Sequence, residues 1–502
     1  MTAKRSIVDY LAEHASRSPD RTAVFYKEER ITFGQLEQRA ARCRGALAAL
    51  GIKPGDRVAL VMSDCPEMTL ALLGVMGLGA IVVPCSTMLK PAELEYMLQD
   101  SGAELVIATP EHVENARAAK AARIVVAPDE FNDLLQKNEP RPLGTFDADT
   151  PCLILYTSGS TGSPKGAVHL HDHLSETIER VARPVYGLQP DDRLFSSSRL
   201  FFAYGLGNSF SFPIGMGCST FLCSERPAPP LIAEVFKRYR PTVFFAVPAV
   251  FRLLIEYARQ GNALDTSSLK FCVSAGEVLP VATWNEWKEA SGVEIIETIG
   301  TTEMLHAFIS NRKDRNRPGS SGIPLEGYQV KLTDEHGAVV EGAGRGHLHV
   351  QGHSGFTYYL NKPEKTAETI KDGWVKTGDI YRRDAEGFFW FEGRGDDLFK
   401  CSGMWVSPGD VEEAVITHPA VLEAAVVAEA DDKGATIAAA YVALRPGKKG
   451  NEELAAEIRE HAAKTLPRYK RPQRIHFMDA LPRTATGKVQ RFKLRALSSR
   501  GS

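Results

Sequence analysis

The sequence has almost no net charge. Its 60 lysines and arginines nearly balance its 62 aspartates and glutamates, which gives a formal net charge of −2 over 502 residues. A protein that holds nucleic acid mainly by electrostatics, or carries a polybasic membrane anchor, needs an excess of positive charge. The balance therefore argues against both. With 43% hydrophobic and 24% charged residues the chain resembles an ordinary globular protein, and its length predicts two to four folding units at ~100–200 residues per domain.

Cysteine is also scarce and shows neither metal-binding nor disulfide spacing. The eight cysteines are scattered, none forms a C-x-x-C motif, and Cys218 and Cys223 are the closest pair. This pattern argues against a zinc ribbon and a disulfide framework and favours a reducing compartment. The start of the sequence contains basic residues but no apolar core of a secretory signal peptide. We therefore expect a cytoplasmic protein.

One long run lacks charged residues, the 22 residues from Met68 to Leu89. A helix that spans a bilayer needs ~20 predominantly apolar residues, so the length alone would fit. However, Gly74, Gly79 and Pro84 interrupt the run, and Ala80–Val83 has the composition of a strand. The run therefore predicts a buried helix followed by a buried strand, and we expect no membrane partner.

Short apolar runs alternate with longer amphipathic ones over residues 22–300. The predicted strands are Asp56–Met62, Ala80–Pro84, Glu104–Ala108, Cys152–Thr157, Thr242–Val247, Phe271–Ser274 and Val293–Thr298. The predicted helices between them include Thr32–Leu50, Lys90–Asp100 and Val281–Ser291. Such alternation predicts α/β layers around mostly parallel sheets.

The pattern changes after about residue 328. From Tyr328 to Phe391 short strands and turns predict a small β-rich subdomain, and GRGDD at 393–397 is suited to a linker. The rest of the chain predicts a small α+β domain. Its predicted elements are the strands Glu423–Glu429 and Thr436–Leu444, the helix Glu452–Thr465 and the strand Arg474–Met478.

Three polar loops follow predicted strands: TSGSTGSPKG after Leu155, SAGE after Val273 and TIGTTE after Glu297. Ligands of parallel α/β sheets bind beyond the carboxyl ends of the strands, so we expect these loops to converge on one ligand. The first loop combines small residues, hydroxyl side chains and Lys165, which suits a polyphosphate. Its spacing does not match G-x-x-x-x-G-K-[ST], because Gly166 follows Lys165. A merely flexible Gly/Ser loop is the alternative.

Four further motifs follow YTSGSTGSPKG (Tyr156 to Gly166) in order. They are IGTTE at 299–303, WVKTGD at 374–379, GRGDDLFKCSGMWVSPGDVE at 393–412 and PRTATGK at 482–488. Together they resemble the adenylate-forming superfamily of acyl- and aryl-CoA ligases, adenylation domains and luciferases over essentially the whole chain. The resemblance implies an N-terminal domain, 1–395, of two doubly wound α/β subdomains and the β-rich subdomain, followed by a small mobile α+β lid, 396–502.

The resemblance also implies the chemistry. A carboxylate attacks the α-phosphate of ATP and expels pyrophosphate, and the resulting acyl-AMP is attacked by the thiol of CoA. Two anions must meet, so positive charge and Mg²⁺ have to be held where negative charge develops. The implied cofactor set is ATP, Mg²⁺ and CoA.

The resemblance carries roles onto individual residues of the first step. Glu303 would bind Mg²⁺, Thr302 would touch the α-phosphate, and Lys488 would bridge the carboxylate and the α-phosphate in the transition state. The β- and γ-phosphates would contact Thr157, Ser158, Gly159, Ser160, Thr161, Gly162 and Lys165. Gly276 and Glu277 would line the adenine pocket, and Asp379 would hold the ribose with Arg394 nearby. Taken alone, Glu303 could be a solvated loop acid and Lys488 a solvated lysine on a turn.

For the second step the resemblance implies that the C-terminal domain rotates about a hinge aspartate, Asp396, with Asp397 as the alternative. The segment 400–405 would then face the active site. The residues assigned to CoA are Lys400, Ser402, Gly403 and Trp405.

The segment RLFFAYGLGNSFSFP, Arg199 to Pro213, resembles benzoate-CoA ligases more closely than fatty-acyl or acetyl ligases. The flat faces of these aromatic side chains could stack on the ring of a substrate. The alternative is that the segment is an aromatic strand of the hydrophobic core. The residues assigned to the pocket are Ala203, Tyr204, Phe212, Ile299, Gly300 and His306. His306 could bind a hydroxyl or amino substituent, or simply close the pocket around an unsubstituted ring.

The sequence thus predicts an ATP-dependent ligase that converts benzoate or a small substituted benzoate into its CoA thioester. The runner-up delivers an aryl or medium-chain acyl group to carrier-protein phosphopantetheine or CoA. A non-catalytic nucleotide or acyl-AMP sensor would be expected to lack Lys488, Glu303 or Asp379, and all three are present. A homodimer is plausible for the superfamily, and no nucleic-acid partner is expected.

His169, His171 and His173 alternate in HLHDHL and suggest a transition-metal site. We expect this run to open a helix, however, where side chains at i and i+2 point apart. A transition-metal site is therefore not predicted.

Overall fold

A computed structural model describes residues 5–144, 146–157, 164–395, 397–401, 403–432, 434–483 and 489–498. Five site predictions, Ser158, Gly159, Ser160, Thr161 and Gly162, lie outside the described residues, as do Asp396, Ser402 and Lys488.

The largest sheet has nine strands and is parallel through its centre. Only its two ends, β2 at one and β14 with β15 at the other, pair antiparallel. Its order is β15-β14-β13-β12-β11-β9-β10-β1-β2, with β1 Thr22–Tyr26, β2 Glu29–Thr32, β9 Arg193–Ser196, β10 Ser219–Phe221, β11 Val243–Ala246, β12 Phe271–Ser274, β13 Ile295–Gly300, β14 Ala307–Ser310 and β15 Ile323–Pro324.

The second sheet has seven strands in the order β18-β8-β7-β4-β3-β5-β6. Its parallel part continues into two antiparallel strands, β8 and β18, at the edge. The strands are β3 Arg57–Val61, β4 Ile81–Pro84, β5 Leu105–Ala108, β6 Arg123–Val126, β7 Pro151–Thr157, β8 Lys165–Leu170 and β18 Tyr358–Tyr359.

Helices connect the parallel strands of both large sheets, as parallel pairing requires. They are α1 Ile7–Arg17, α2 Phe33–Ala49, α3 Pro66–Leu78, α4 Pro91–Ser101, α5 Val113–Ala118, α6 Asp129–Lys137, α7 His171–Thr177, α8 Ala203–Leu206, α9 Phe212–Met216, α10 Pro229–Tyr239, α11 Pro248–Arg259 and α12 Val281–Ser291. Buried side chains of both sheets, such as Leu153 and Val273, belong to one continuous apolar cluster. The two sheets therefore share a core, which fixes their strand ends relative to each other.

A five-stranded antiparallel sheet follows, and its residues Leu348 and Tyr381 extend the same core. Its elements are β16 Gln329–Thr333, β17 Gly344–Gln351, α13 Pro363–Thr369, β19 Ile370–Lys371, β20 Trp374–Arg383 and β21 Phe389–Arg394.

The last hundred residues have an apolar cluster of their own, which includes Val411, Val426 and Ile458. It lies between the three-stranded sheet β24-β25-β26 and its helices. The elements are β22 Phe399–Cys401, β23 Met404–Val406, α14 Pro408–Ile416, β24 Val421–Ala430, β25 Thr436–Leu444, α15 Glu452–Ala463, β26 Arg474–Met478 and α16 Arg491–Ser498. The domain boundary at 395/396 stays a prediction.

The predicted α/β class is confirmed, and most predicted elements are found within about two residues. The run from Met68 to Leu89 forms the buried helix α3 and the strand β4, as predicted. Within the described ranges, no helix combines the length and hydrophobicity needed to cross a membrane.

Two local predictions are wrong. The run from His169 to His173 is predicted to open a helix, but its first residues belong to the strand β8, which pairs back onto β7 with Thr157 opposite Lys165. His169 therefore lies on a strand, and the helix α7 begins only at His171. The alternative of an aromatic core strand over Arg199–Pro213 is also wrong, because 203–216 is a run of helical turns.

Gly74 on the buried helix α3 provides a test of how α2 and α3 pack. A Cβ at Gly74 would overlap the Sγ of Cys43 on α2. We expect Gly74→Ala to destabilise the protein by about 1–3 kcal/mol through overpacking, measured as a lower urea midpoint. The control is Gly409→Ala on α14, where the nearest atom to the new Cβ lies 3.6 Å away. Equal midpoints for the two variants would contradict this packing.

Candidate active site

Lys165 and Glu303 come from different sheets and meet at one tyrosine. Lys165 begins β8, and its Nζ lies 4.4 Å from the centre of the Tyr359 ring. The Tyr359 hydroxyl donates a hydrogen bond of 2.6 Å to Oε1 of Glu303, which follows β13. Burial lowers the pKa of Lys165, and the Glu303 carboxylate opposes this effect. The structure thus brings two predicted phosphate-site residues together.

Thr302 lies in the short turn Thr302–Met304 that follows β13. Its carbonyl accepts a 2.9 Å hydrogen bond from Nε2 of His169 on β8. Burial lowers the pKa of His169 to about 4, so the ring is neutral and Nε2 carries the proton. His169 is therefore a part of the site that sequence reasoning missed, because its strand was taken for a helix.

Asp379 and Arg394 lie opposite each other on β20 and β21 and form an ion pair of 3.2 Å. The Asp379 side chain is buried, whereas that of Arg394 is half-exposed. The pair predicted from WVKTGD and GRGDD is thus assembled by strand register.

The SAGE loop follows β12 and carries Gly276 and Glu277. Gly276 has a φ of +91°, which a residue with a side chain rarely adopts. Glu277 forms an ion pair of 3.2 Å with Arg483, which belongs to the C-terminal part of the chain. Arg483 lies in the PRTATGK motif, so the described part of this motif approaches the predicted adenine pocket.

Glu297 on β13 lies beside this loop and was not among the predicted residues. The backbone N–H of Leu279 donates to its Oε1 at 3.4 Å, and Oε2 has no partner in the described part of the chain. Burial, helped by the charge of Glu413, raises the pKa of Glu297 from 4.5 to about 8. The only signal in the sequence was a carboxylate inside an apolar strand.

The six predicted pocket residues come from α8, α9 and the end of β13 with the turn after it. The ring of His306 lies 4.5 Å from that of Phe212 and 5.6 Å from that of Tyr204, centre to centre. Ala203, Tyr204 and Ile299 pack on the edge of the main core, and the backbone of Gly300 lies against that of His306. The rings of Tyr204, Phe212 and His306 thus form one aromatic cluster, with the other three predicted residues on the neighbouring elements.

Polar contacts fix the orientation of this pocket. The Tyr204 hydroxyl donates to the carbonyl of Val273 on β12 at 3.1 Å. The hydroxyl is therefore engaged by the sheet, and the ring of Tyr204 provides the apolar contact. Burial lowers the pKa of His306 to about 3, and its neutral ring donates from Nε2 to Oδ1 of Asn208 at 3.2 Å. Its Nδ1 has no partner among the described residues. Asn208 was missed, although it is an amide within a run of aromatic and glycine residues.

The described residues predicted to bind CoA belong to one hairpin. Lys400 and Trp405 face each other on the hairpin β22–β23, with Nζ 4.6 Å from the ring. The Trp405 side chain is 40% exposed, and no atom of the described residues lies within 4 Å of a Cβ built on Gly403. Asp397, the alternative hinge, pairs with Arg491 and Arg495 on α16.

Ion pairs link the C-terminal part to the rest of the chain. Glu423 on β24 pairs with Arg252 on α11 at 3.1 Å and with Arg483 at 2.9 Å. Arg445, directly after β25, pairs with Glu256 on α11 at 3.0 Å. Together with Arg483–Glu277, these pairs connect the C-terminal part to α11 and to the SAGE loop.

The donor set at Glu303 fits magnesium. Oε1 is bonded to Tyr359, and Oε2 has no hydrogen-bond partner among the described residues, so one hard oxygen is presented. Mg²⁺ is commonly bound through one or two carboxylates plus substrate phosphates. No group of three or more His, Cys, Asp or Glu that could hold a metal occurs in the described ranges.

The sequence profile of the AMP-binding enzymes matches residues 11–360, and that of the AMP-binding enzyme C-terminal domain matches residues 410–488. The chain belongs to the AMP-binding enzymes. This assignment confirms the resemblance to the adenylate-forming superfamily.

Relatives of this AMP-binding enzyme include ligases of aromatic acids. It is 39% identical to the benzoate–CoA ligase of Thauera aromatica over 93% of this chain and 90% of that protein. Among solved structures, a benzoate CoA ligase from Burkholderia xenovorans LB400 is similar with a TM-score of 0.92 and 36% identity, covering 98% of this chain and 99% of that one. An anthranilate CoA ligase in complex with anthranoyl-AMP gives a TM-score of 0.94 and 36% identity, with 100% and 98% coverage.

The raised pKa of Glu297 predicts how the stability of the AMP-binding enzyme depends on pH. Between about 4.5 and 8 the folded protein retains a proton that the unfolded chain has lost, so stability falls as pH rises through this window. Glu297→Gln mimics the protonated carboxyl, and we expect it to reduce this fall when urea midpoints are compared at pH 6 and pH 8.5.

The control for this experiment is Glu294→Gln, because Glu294 is part-exposed and precedes the same strand. It should keep the wild-type pH dependence. An unchanged dependence in Glu297→Gln would show that Glu297 does not retain its proton in the folded protein.

Proposed function

We propose that this AMP-binding enzyme is an ATP-dependent aryl-CoA ligase that acts on benzoate or a small substituted benzoate. The products are aryl-CoA, AMP and pyrophosphate. The observation that carries the proposal is one short segment after β13. Its Glu303 accepts a hydrogen bond from Tyr359, which also contacts Lys165. Three residues later, the ring of His306 packs against those of Tyr204 and Phe212. The aromatic cluster is therefore joined to the predicted phosphate site through one short segment, and the benzoate and anthranilate ligases among the relatives support an aromatic acid as substrate.

In the first step a carboxylate oxygen forms a bond to the α-phosphorus, and the bond to pyrophosphate breaks. Lys165 and the loop at 157–162 would hold the β- and γ-phosphates, and Asp379 with Arg394 would hold the ribose. Gly276 and Glu277 would line the adenine pocket. Thr302 would donate to the α-phosphate, and Lys488 would neutralise charge between the two reacting anions. Mg²⁺ on Glu303 would supply further positive charge to the phosphates.

In the second step the CoA thiolate attacks the acyl carbon, and AMP leaves. Residues 396–502 would first rotate about Asp396, with Asp397 as the alternative, so that Lys400, Ser402, Gly403 and Trp405 face the site. In this structure Arg483 pairs with Glu277, and Trp405 is exposed. Both observations support the conformation of the first step, in which the segment 400–405 does not yet face the site. The cytoplasmic location and the homodimer stay predictions.

The substrate and the acceptor can be tested together by pyrophosphate release from a panel of acids with and without CoA. We expect kcat/KM to be highest for benzoate or a hydroxy- or aminobenzoate, and turnover to require CoA. A preference for octanoate would identify a medium-chain acyl ligase. Turnover only with a phosphopantetheinyl carrier protein would identify the runner-up, and no adenylation of any acid would favour a sensor.

The ion pairs of Glu423 give a test of the first-step arrangement. Glu423→Gln weakens the pairs with Arg252 and Arg483, and a loss of about 1 kcal/mol corresponds to ~5-fold in rate. We expect slower formation of aryl-AMP from acid and ATP, with thioester formation from supplied aryl-AMP at least as fast as in wild type.

The matched control is Glu429→Gln. Glu429 lies on the same strand but pairs with Arg474 and His476 inside the C-terminal part. It should leave the ratio of the two half-reactions unchanged. Equal slowing of both half-reactions by Glu423→Gln would argue against the role of these ion pairs.

A further inference from the structure

Tyr359 is the residue through which the predicted phosphate-site cation and the predicted magnesium ligand are connected. Its ring lies 4.4 Å from Nζ of Lys165, within the range in which a cation is attracted to an aromatic face. Its hydroxyl donates to Oε1 of Glu303 at 2.6 Å. One side chain thus contacts both charged groups, each through a different part.

The position of Tyr359 follows from strand pairing. The two-residue strand β18 pairs antiparallel with β8, so that Tyr359 lies opposite Ala167 and Tyr358 lies opposite Val168. Backbone hydrogen bonds from Thr357 N to Val168 O at 2.9 Å and from Leu360 N to Gly166 O at 2.8 Å close both ends. Since successive side chains of a strand point to opposite faces, only Tyr359 points inward: it is 2% exposed and Tyr358 is 40% exposed.

The backbone around Glu303 is held independently of Tyr359. The carbonyl of Thr302 accepts from His169, that of Glu303 accepts from Phe356 N at 2.6 Å, and that of Met304 accepts from Oγ of Ser354 at 2.9 Å. With three successive carbonyls fixed, the main freedom left to Glu303 is the rotation of its side chain. The Tyr359 hydroxyl removes that freedom.

We propose that Tyr359 is a positioning residue of the phosphate site. Its ring binds the Lys165 ammonium through a cation–π contact, and its hydroxyl orients the Glu303 carboxylate. The inference rests on the proposed function, since that function makes Lys165 a phosphate ligand and Glu303 a ligand of Mg²⁺. Outer-shell partners of metal ligands typically change metal affinity by ~10–100-fold. The two parts of the side chain should therefore have separable effects.

The test compares Tyr359→Phe, which loses only the hydroxyl, with Tyr359→Leu, which loses the ring as well. Calorimetry would measure ATP binding with Mg²⁺ and with EDTA, in the absence of any acid substrate. We expect Tyr359→Phe to weaken ATP binding ~10-fold with Mg²⁺ but less than ~2-fold with EDTA. Tyr359→Leu should weaken ATP binding both with Mg²⁺ and with EDTA, because Lys165 also loses its contact with the aromatic ring.

Tyr358→Phe is the matched control, since it removes a hydroxyl from the exposed neighbour on the same strand, and it should bind ATP like wild type. Unchanged Mg²⁺-dependent binding in Tyr359→Phe would overturn the proposal. Equal weakening with and without Mg²⁺ would also overturn it, because that result indicates a merely structural role.

Glu303→Gln separates this inference from the proposed function. If Glu303→Gln weakens Mg²⁺-dependent binding and Tyr359→Phe does not, only the role of Tyr359 fails. If neither variant does, the proposed role of Glu303 fails with it. Pyrophosphate release gives a second readout: a higher Mg²⁺ concentration at half-maximal rate, with little change in kcat at saturating Mg²⁺, is the expected result for Tyr359→Phe.

Discussion

Lys165 starts a strand of the seven-stranded sheet, and Glu303 follows a strand of the nine-stranded sheet, yet both side chains contact Tyr359. This contact depends on the core that the two sheets share, because neither sheet alone carries both charges. The ribose pair comes from the third sheet, where β20 and β21 place Asp379 opposite Arg394. A small relative shift of the two large sheets would separate Lys165 from Glu303.

The charge of the molecule is distributed in a way that suits this arrangement. The net charge is −2, so no bulk field attracts an anion. Arginines instead meet acidic partners where the C-terminal part adjoins the larger part, as in Arg252–Glu423, Arg445–Glu256 and Arg483–Glu277. Their side chains are largely buried, and specific donor and acceptor atoms define the orientation of the two parts. In the proposed function these pairs would be exchanged when the C-terminal part rotates.

The order of elements was predictable because hydrophobic periodicity is local: Phe271–Ser274, Val281–Ser291 and Thr436–Leu444 were predicted to the residue. The motifs identified charged residues such as Asp379 and Arg394 because their spacing is specific. Tyr359, Asn208 and Glu297 could not be recognised in this way, since their importance arises from contacts between distant strands. The strand containing His169 was mistaken for a helix because its pairing with β7 comes from tertiary structure. The roles of Gly162, Asp396 and Lys488 stay predictions from motif alone.

The neutral state of His306 has a consequence for how a substrate enters. With a pKa near 3, the buried ring carries no charge near neutral pH, and its neighbours Tyr204 and Phe212 are aromatic. In the proposed function the ring of the acid would therefore lie against uncharged side chains, and its carboxylate would lie toward Lys165 and the phosphates. Burial of the carboxylate at His306 would go uncompensated, so one orientation of an aromatic acid would be favoured.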